Sequence, residues 1–294
     1  MQMTKYGDNV VEFRHSPGVK SAEYLLISDV HFDNPKCRRD VLKKHLDEAK
    51  RRGAKVLING DFLCIMQGLT DKRHKKGDLR PEHLGNNYFD LVVEEAVEWW
   101  APYADILVWI GYGNHETSVI GKAEHDVLKA FVTLMNHTKG AKIQLGGYGG
   151  WLTFKMQASP NRGATSFSMF HFHGSGGGGP VTKGVIQDNR IMSMTDGADV
   201  IWHGHVHELY HHVNTKAIFD TRHNTATWKN VHVIRTSTYK DEYDTGSKGW
   251  HVERGGTPKP LGGYWMKLRY VREKLKGHDN EYIEPTFTPC VEYR

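Results

Sequence analysis

Short apolar runs, each ending in a polar cluster, recur through the first half of this chain. Residues 23–28 (EYLLIS), 55–59 (KVLIN) and 106–110 (ILVWI) are continuous enough to predict buried strands. Between them the apolar spacing becomes helical. Over residues 35–52 the inward stripe is Val41, Leu42, His45, Leu46 and Ala49, and Gly53 stops the helix. Residues 81–103 predict a second helix with Val92, Val93, Ala96, Val97 and Trp100 inward, and residues 122–137 a third. Strands alternating with helices imply a parallel sheet with crossover connections.

The second half changes character. Residues 151–157, 166–172, 207–213, 231–237 and 263–271 predict strands of a more antiparallel sheet. Residues 200–203 read as a further buried strand and 184–194 as a helix. No repeat, linker or low-complexity tail divides the chain, so a single domain over residues 1–294 is expected. In that reading the part from 208 onward completes the second sheet. From Thr215 on there are aromatics, glycines, Pro258 and Pro260, but no interpretable motif.

Composition narrows the class. A 38% hydrophobic and 25% charged chain of 294 residues suits a folded globular protein. No run approaches the ~20 apolar residues of a membrane span. The first ten residues lack the apolar core of a signal peptide, so a cytoplasmic location is expected. Cys37, Cys64 and Cys290 form no CxxC pair, which argues against a disulfide framework or a cysteine zinc site. The net charge of +5 is compatible with a polyanionic partner and equally with simple solubility. Basic groups concentrate at residues 36–39, 43–44, 50–52 and 72–76.

The candidate chemistry sits where the apolar runs end. Trp202-His203-Gly204-His205-Val206-His207 places three imidazoles within a short segment. Imidazole is the commonest protein ligand for divalent transition metals. Asp29-Val30-His31, Gly60-Asp61 and Gly113-Asn114-His115-Glu116 each follow a predicted strand. Open α/β sheets bind ligands at that carboxyl edge. His171 and His173 alternate along another strand and precede Gly174. The glycine-rich stretch 174–179 follows these histidines directly and reads as a site loop; without them it would read equally as a flexible surface loop. His15, His45, His83, His137 and His278 have no motif around them and read as surface or packing residues.

Asp29-x-His31, Gly60-Asp61, Gly113-Asn114-His115-Glu116, His173 and Gly204-His205-x-His207 together resemble the ordered motifs of the calcineurin-like metallophosphoesterase superfamily. The resemblance covers residues 24–207, and microbial or phage-type members are the nearest analogy. It implies the metallo-dependent phosphatase fold, a four-layer α/β/β/α sandwich of two mixed β-sheets flanked by helices. It also implies two divalent ions, manganese favoured and iron or zinc possible. One ion would be held by Asp29, His31, Asp61 and His207, the other by Asp61, Asn114, His173 and His205, with Asp61 bridging. The attacking group would be a metal-bound hydroxide, and His115 would protonate the leaving oxygen. His171, His203, Cys64 and Glu116 are candidates for supporting positions. Glu116 would either orient a neighbour or accept backbone hydrogen bonds. Many members read GDxxD, whose last Asp orients the catalytic histidine; here Cys64 occupies that place, which puts the support of His115 in question.

The substrate is less legible. The segment lacks GDxVDRG, which argues against protein phosphatases, and lacks the tyrosine ligand of purple acid phosphatases. Lys72, Arg73, Lys75 and Lys76 are candidate substrate-binding residues that would track a phosphate backbone. Tyr88, Tyr112 and Trp151 are candidates for base stacking. The expected activity is therefore a phosphodiesterase acting on nucleic acid, DNA or RNA, of the nuclease kind. Alternatives are a hydrolase of small nucleotides or phosphomonoesters, and a non-catalytic scaffold. The sequence leaves the oligomeric state open.

Overall fold

The apolar runs become strands and the amphipathic stretches become helices that cover them. In a computed structural model of the chain, the structure describes residues 1–7, 9–65, 79–177, 179, 181–243, 250–253, 255–275 and 278–292. The strands are β1 (Gln2–Tyr6), β2 (Val10–Arg14), β3 (Ser21–Ile27), β4 (Lys55–Asn59), β5 (Leu107–Gly111), β6 (Gln144–Leu145) and β7 (Gly149–Met156). They continue with β8 (Thr165–Phe172), β9 (Val200–His203), β10 (Tyr210–Asp220), β11 (Thr225–Arg235), β12 (Leu261–Leu275) and β13 (His278–Glu292). The principal helices are α1 (Arg39–Arg52), α2 (Tyr88–Trp100), α3 (Asn114–Ala123), α4 (Val127–Thr138) and α5 (Val185–Met194).

Among the described residues the strands form two mixed sheets. One is seven-stranded, in the order β1-β2-β7-β8-β9-β11-β10; the other is six-stranded, in the order β13-β12-β3-β4-β5-β6. In the second sheet β3, β4, β5 and β6 run parallel, while β12 and β13 add an antiparallel flank. Three apolar cores separate four layers. Phe13, Leu26, Leu57, Trp109, Phe154 and Met266 fill the space between the sheets. Leu42, Leu46, Val93, Trp100, Phe131 and Ile58 join the six-stranded sheet to its helices. Ile201 and Val233 meet Ile191 and Met192 of α5 on the other side. This is the four-layer α/β/β/α sandwich that the motifs implied.

Local chemistry sets the element ends. The inward stripe of α1 is Val41, Leu42, His45, Leu46 and Ala49, and Gly53 closes it in the left-handed conformation at φ 68°. The Asp126 side chain caps α4 by accepting from Lys129 N at 2.9 Å.

Several elements differ from the sequence expectation. The helix expected at 81–103 is interrupted: a 3₁₀ turn at Pro81–His83 precedes α2, with Gly85, Asn86 and Asn87 between them. The helix expected at 122–137 is α4 and starts later, at Val127, while α3, beginning at Asn114, is a separate helix that the sequence reading did not expect. The C-terminal part does not all complete one sheet. β10 and β11 join the seven-stranded sheet, whereas β12 pairs with β3 and brings β13 to the edge of the other. Among the described residues, no helix is long and apolar enough to cross a membrane.

Candidate metal centre

Three parallel strands end at one edge, and each passes the chain into a tight turn. Asp29 lies beyond β3, Asp61 beyond β4 and Asn114 beyond β5. The facing sheet contributes His173 after β8 and the Gly204–His207 turn after β9. The turns interlock through their backbones. Asp29 N donates to the Gly60 carbonyl at 3.0 Å, and His31 N to the Asp61 carbonyl at 3.0 Å. A Cβ at Gly113 would lie 2.1 Å from Asp61 Oδ1, and one at Gly204 would lie 2.6 Å from Asp29 Oδ2. Only glycine permits such approaches.

Backbone strain concentrates on the candidate ligands. Among the described residues, nine non-glycine positions have positive φ. Five of them are Asp29 (51°), His31 (47°), Asp61 (48°), His205 (70°) and His207 (57°). Each costs on the order of 1–3 kcal/mol, and such strain gathers at functional sites.

The donor atoms converge without satisfying one another. Asp29 Oδ2 accepts from Ser28 Oγ at 2.5 Å and from His205 N at 2.9 Å, while its Oδ1 is buried without a hydrogen bond. His207 Nε2 lies 3.3 Å from that Oδ1 and 3.3 Å from His31 Nε2. His173 Nδ1 contacts the Asn59 carbonyl at 2.7 Å, which turns Nε2 into the site, 3.2 Å from Asp61 Oδ2. That Nε2 is buried and has no hydrogen bond. His205 Nε2 lies 2.8 Å from the Gly176 carbonyl, and its Nδ1 lies 2.8 Å from Asn114 Oδ1. A neutral imidazole donating to Gly176 would present a bare lone pair to the Asn114 oxygen, a clash that a shared cation relieves.

Two groups of ligand atoms result, Asp29–His31–His207 and Asp61–His173–His205, each with mutual separations within 4.8 Å. Ligands on bonds of ~2.1 Å stand roughly 3.0–3.4 Å apart around one ion. The separations of 3.2 and 3.3 Å fall in that range. Charge argues the same way. Burial disfavours the His173 imidazolium, yet the Asp61 and Asp29 carboxylates raise its pKa to about 10. Burial would raise Asp61, but His115, His173 and His31 hold it well below the usual carboxylate range. Two buried carboxylates thus demand positive charge here, and these residues fit divalent cations.

The remaining candidates separate clearly. His115 Nδ1 bonds the backbone carbonyl of Cys64 at 2.6 Å, and its Nε2 lies 3.7 Å from Asp61 Oδ2. The Cys64 thiol does not orient His115; it accepts from Asn34 Nδ2 at 3.3 Å, and burial pushes its pKa up to about 12. His31, Cys64 and His115 also lie within mutual reach, but a thiol so protonated is a poor ligand. Glu116 accepts from Asp61 N at 3.2 Å, Leu63 N at 2.9 Å and Gly113 N at 2.9 Å, so it ties two ligand turns together. His171 lies edge-on to Trp109 at 4.6 Å, and burial lowers its pKa to about 3. His203 turns toward Asp188, 3.6 Å away, and the Phe172 carbonyl. Neither His171 nor His203 enters the ligand groups. Lys72, Arg73, Lys75 and Lys76 lie outside the described residues. Of the stacking candidates, Tyr88 bonds Asp33, Tyr112 bonds Asp126, and Trp151 packs against Phe170.

Sequence reasoning passed over Asp33 and Arg235. Arg235 is wholly buried, pairs with Asp188, and donates to the Gly204 carbonyl at 2.7 Å beneath the His205 turn. A charged residue inside the apolar run 231–237 was its only signal.

No family model and no curated protein sequence matches the chain. Among solved structures it is similar to vacuolar protein sorting 29 from Cryptosporidium parvum, at 13% identity over 92% of this chain and 100% of that one, with a TM-score of 0.35. It is similar also to Vps29 complexed with zinc from Entamoeba histolytica, at 11% identity over 90% and 98% of the chains, TM-score 0.35. A predicted phosphoesterase from Streptococcus pneumoniae TIGR4 matches at 10% identity over 90% and 99%, TM-score 0.29.

Proposed function

We propose that the protein is a metal-dependent phosphoester hydrolase of the calcineurin-like metallophosphoesterase superfamily, acting on phosphodiesters and first of all on nucleic acid. One observation carries the reading: two three-residue groups of ligand atoms meet at one sheet edge, on strained turns, with Asp29 Oδ1 and His173 Nε2 buried and unsatisfied. Asp29, His31 and His207 would hold one ion; Asn114, His173 and His205 would hold the other, with Asp61 serving both. When bound, a pair of divalent ions neutralises phosphate charge and brings the pKa of a coordinated water toward neutrality. Manganese is the first choice.

Hydrolysis adds water across a P–O bond, and the leaving oxygen must gain a proton. His115 supplies it in this reading. Its Nδ1 is fixed by the Cys64 carbonyl, so its Nε2 is turned toward Asp61 Oδ2, 3.7 Å away. The preference for nucleic acid rests on the basic run at 72–76. A manganese-supplemented panel of linear DNA, RNA, cyclic dinucleotides, and bis-aryl and mono-aryl phosphates tests both levels. Turnover of a diester supports the chemistry, and no turnover of any ester refutes it. Nuclease activity that falls steeply with salt supports a polyanionic substrate. Salt-insensitive turnover of small esters alone favours the nucleotide alternative.

A further inference from the structure

The Cys64 carbonyl is a weak anchor unless something fixes the peptide that carries it. Asp33 does so. Its Oδ1 accepts from Cys64 N at 2.5 Å, and its Oδ2 accepts from Ile65 N at 2.9 Å. Tyr88 Oη of α2 donates to the same Oδ2 at 2.9 Å. The carboxylate is 3% exposed, so these bonds have little competition from water. Next to it, Asn34 donates to the Cys64 sulfur, so the backbone N–H and the side chain of residue 64 are both held by residues that follow β3. Ile65 adds a second sign of constraint. It is β-branched yet sits at φ 34°, a conformation such residues avoid unless their surroundings impose it.

We propose that Asp33 is a positioning residue for His115. By clamping two consecutive peptide N–H groups it fixes the Cys64 carbonyl, which holds His115 Nδ1 and so aims Nε2 into the site. A carboxylate supplied by the first ligand turn thus takes over, through a backbone peptide, the orienting task that a side chain at position 64 would otherwise perform. The inference rests on the proposed hydrolase reading for its kinetic consequence, but not for its structural one.

The test uses the full chain with Asp33→Asn, and with Tyr88→Phe as a milder variant that removes only one donor. An asparagine side chain has one acceptor atom and would turn its amide against the second N–H. The first readout is the side-chain ¹⁵N spectrum of His115 in metal-free protein. The wild-type neutral ring should carry its proton on Nδ1, and D33N should shift to a mixture of tautomers. The second is hydrolysis of diesters with poor and good leaving groups. D33N should slow the poor one by about tenfold or more and leave the good one nearly unchanged, because only the former needs the proton. Manganese affinity should not change, and D33N should add little to H115N in the double variant. Equal losses on both substrates, or losses that multiply with those of H115N, would overturn the proposal. If the wild type hydrolyses no ester, the hydrolase reading fails, and the ¹⁵N spectra still decide: an identical His115 tautomer in wild type and both variants overturns the clamp. If D33N does not fold, the Y88F comparison carries the same two outcomes.

Discussion

Gly113→Ala offers a sharp perturbation because the structure says where the added methyl must go. Gly113 has φ −112° and ψ −177°, an extended backbone that alanine adopts without strain. The effect is therefore steric alone. The new Cβ would stand 2.1 Å from Asp61 Oδ1 and 2.3 Å from Asp61 N, where ordinary contact begins at 3.4 Å. The Asp61 carboxylate must withdraw by more than an ångström, and Glu116 and His115, both bonded to Asp61, move with it. Overpacking of this kind costs about 1–3 kcal/mol of stability. A displacement near 1 Å at a reacting centre costs on the order of 100-fold in rate. Gly121→Ala is the internal control. It lies within α3, the helix that Gly113 precedes, with nothing within 4 Å of its added Cβ. It should stabilise the protein by about 0.5–1 kcal/mol and leave the rate alone. Urea denaturation gives the first number for each variant. Manganese-supported diester hydrolysis and manganese calorimetry give the second. A G113A protein with wild-type stability, manganese affinity and rate would refute the packing argument and the placement of Asp61 at the reacting centre.

Two further outcomes follow from the same geometry. Asp61→Asn keeps the shape and can keep the acceptor for His115 N, but loses the charge that His173 faces. A ligand present at ~100 times its Kd stabilises by about 2.7 kcal/mol, so manganese should raise the wild-type Tm by several degrees and leave D61N unmoved; an equal shift in both would contradict the ligand role. His45 is buried against Tyr239 at 2.9 Å, and burial lowers its pKa from 6.5 to about 4. The unfolded chain therefore takes up a proton below pH 6.5 that the folded one refuses, so stability is full above pH 6.5 and falls as pH drops toward 4. The loss is about 3 kcal/mol for this group. His45→Gln should flatten the denaturation profile by that amount over that window, and an unchanged slope would contradict the assignment.

The parallel strands β3, β4, β5 and β9 were legible because continuous apolar runs led straight into ligand motifs. Helix α3 was not, since Asn114, His115, Glu116, Thr117 and Ser118 give it no apolar stripe; its inward residues include His115 and Glu116 themselves. Strand β13 was hidden by Pro285 and Pro289, which argue against a strand. It lies at the sheet edge, where a residue without an N–H is tolerated. In the site, the converging residues Asp29, His31, Asp61, Asn114, His173, His205 and His207 could be read from motif order. The Cys64 carbonyl could not, because a backbone oxygen has no signature in sequence. Asp33 had one, two residues after His31, but its partners become neighbours only when the β3 and β4 turns pack together.

The central claim is that these turns hold two cations side by side, and anomalous diffraction at the manganese edge from manganese-grown crystals tests it most directly. Two peaks roughly 3.5–4 Å apart, one against Asp29, His31 and His207 and the other against Asn114, His173 and His205, with Asp61 between them, are the predicted result. No peak there, or a peak only at unrelated residues, would contradict it.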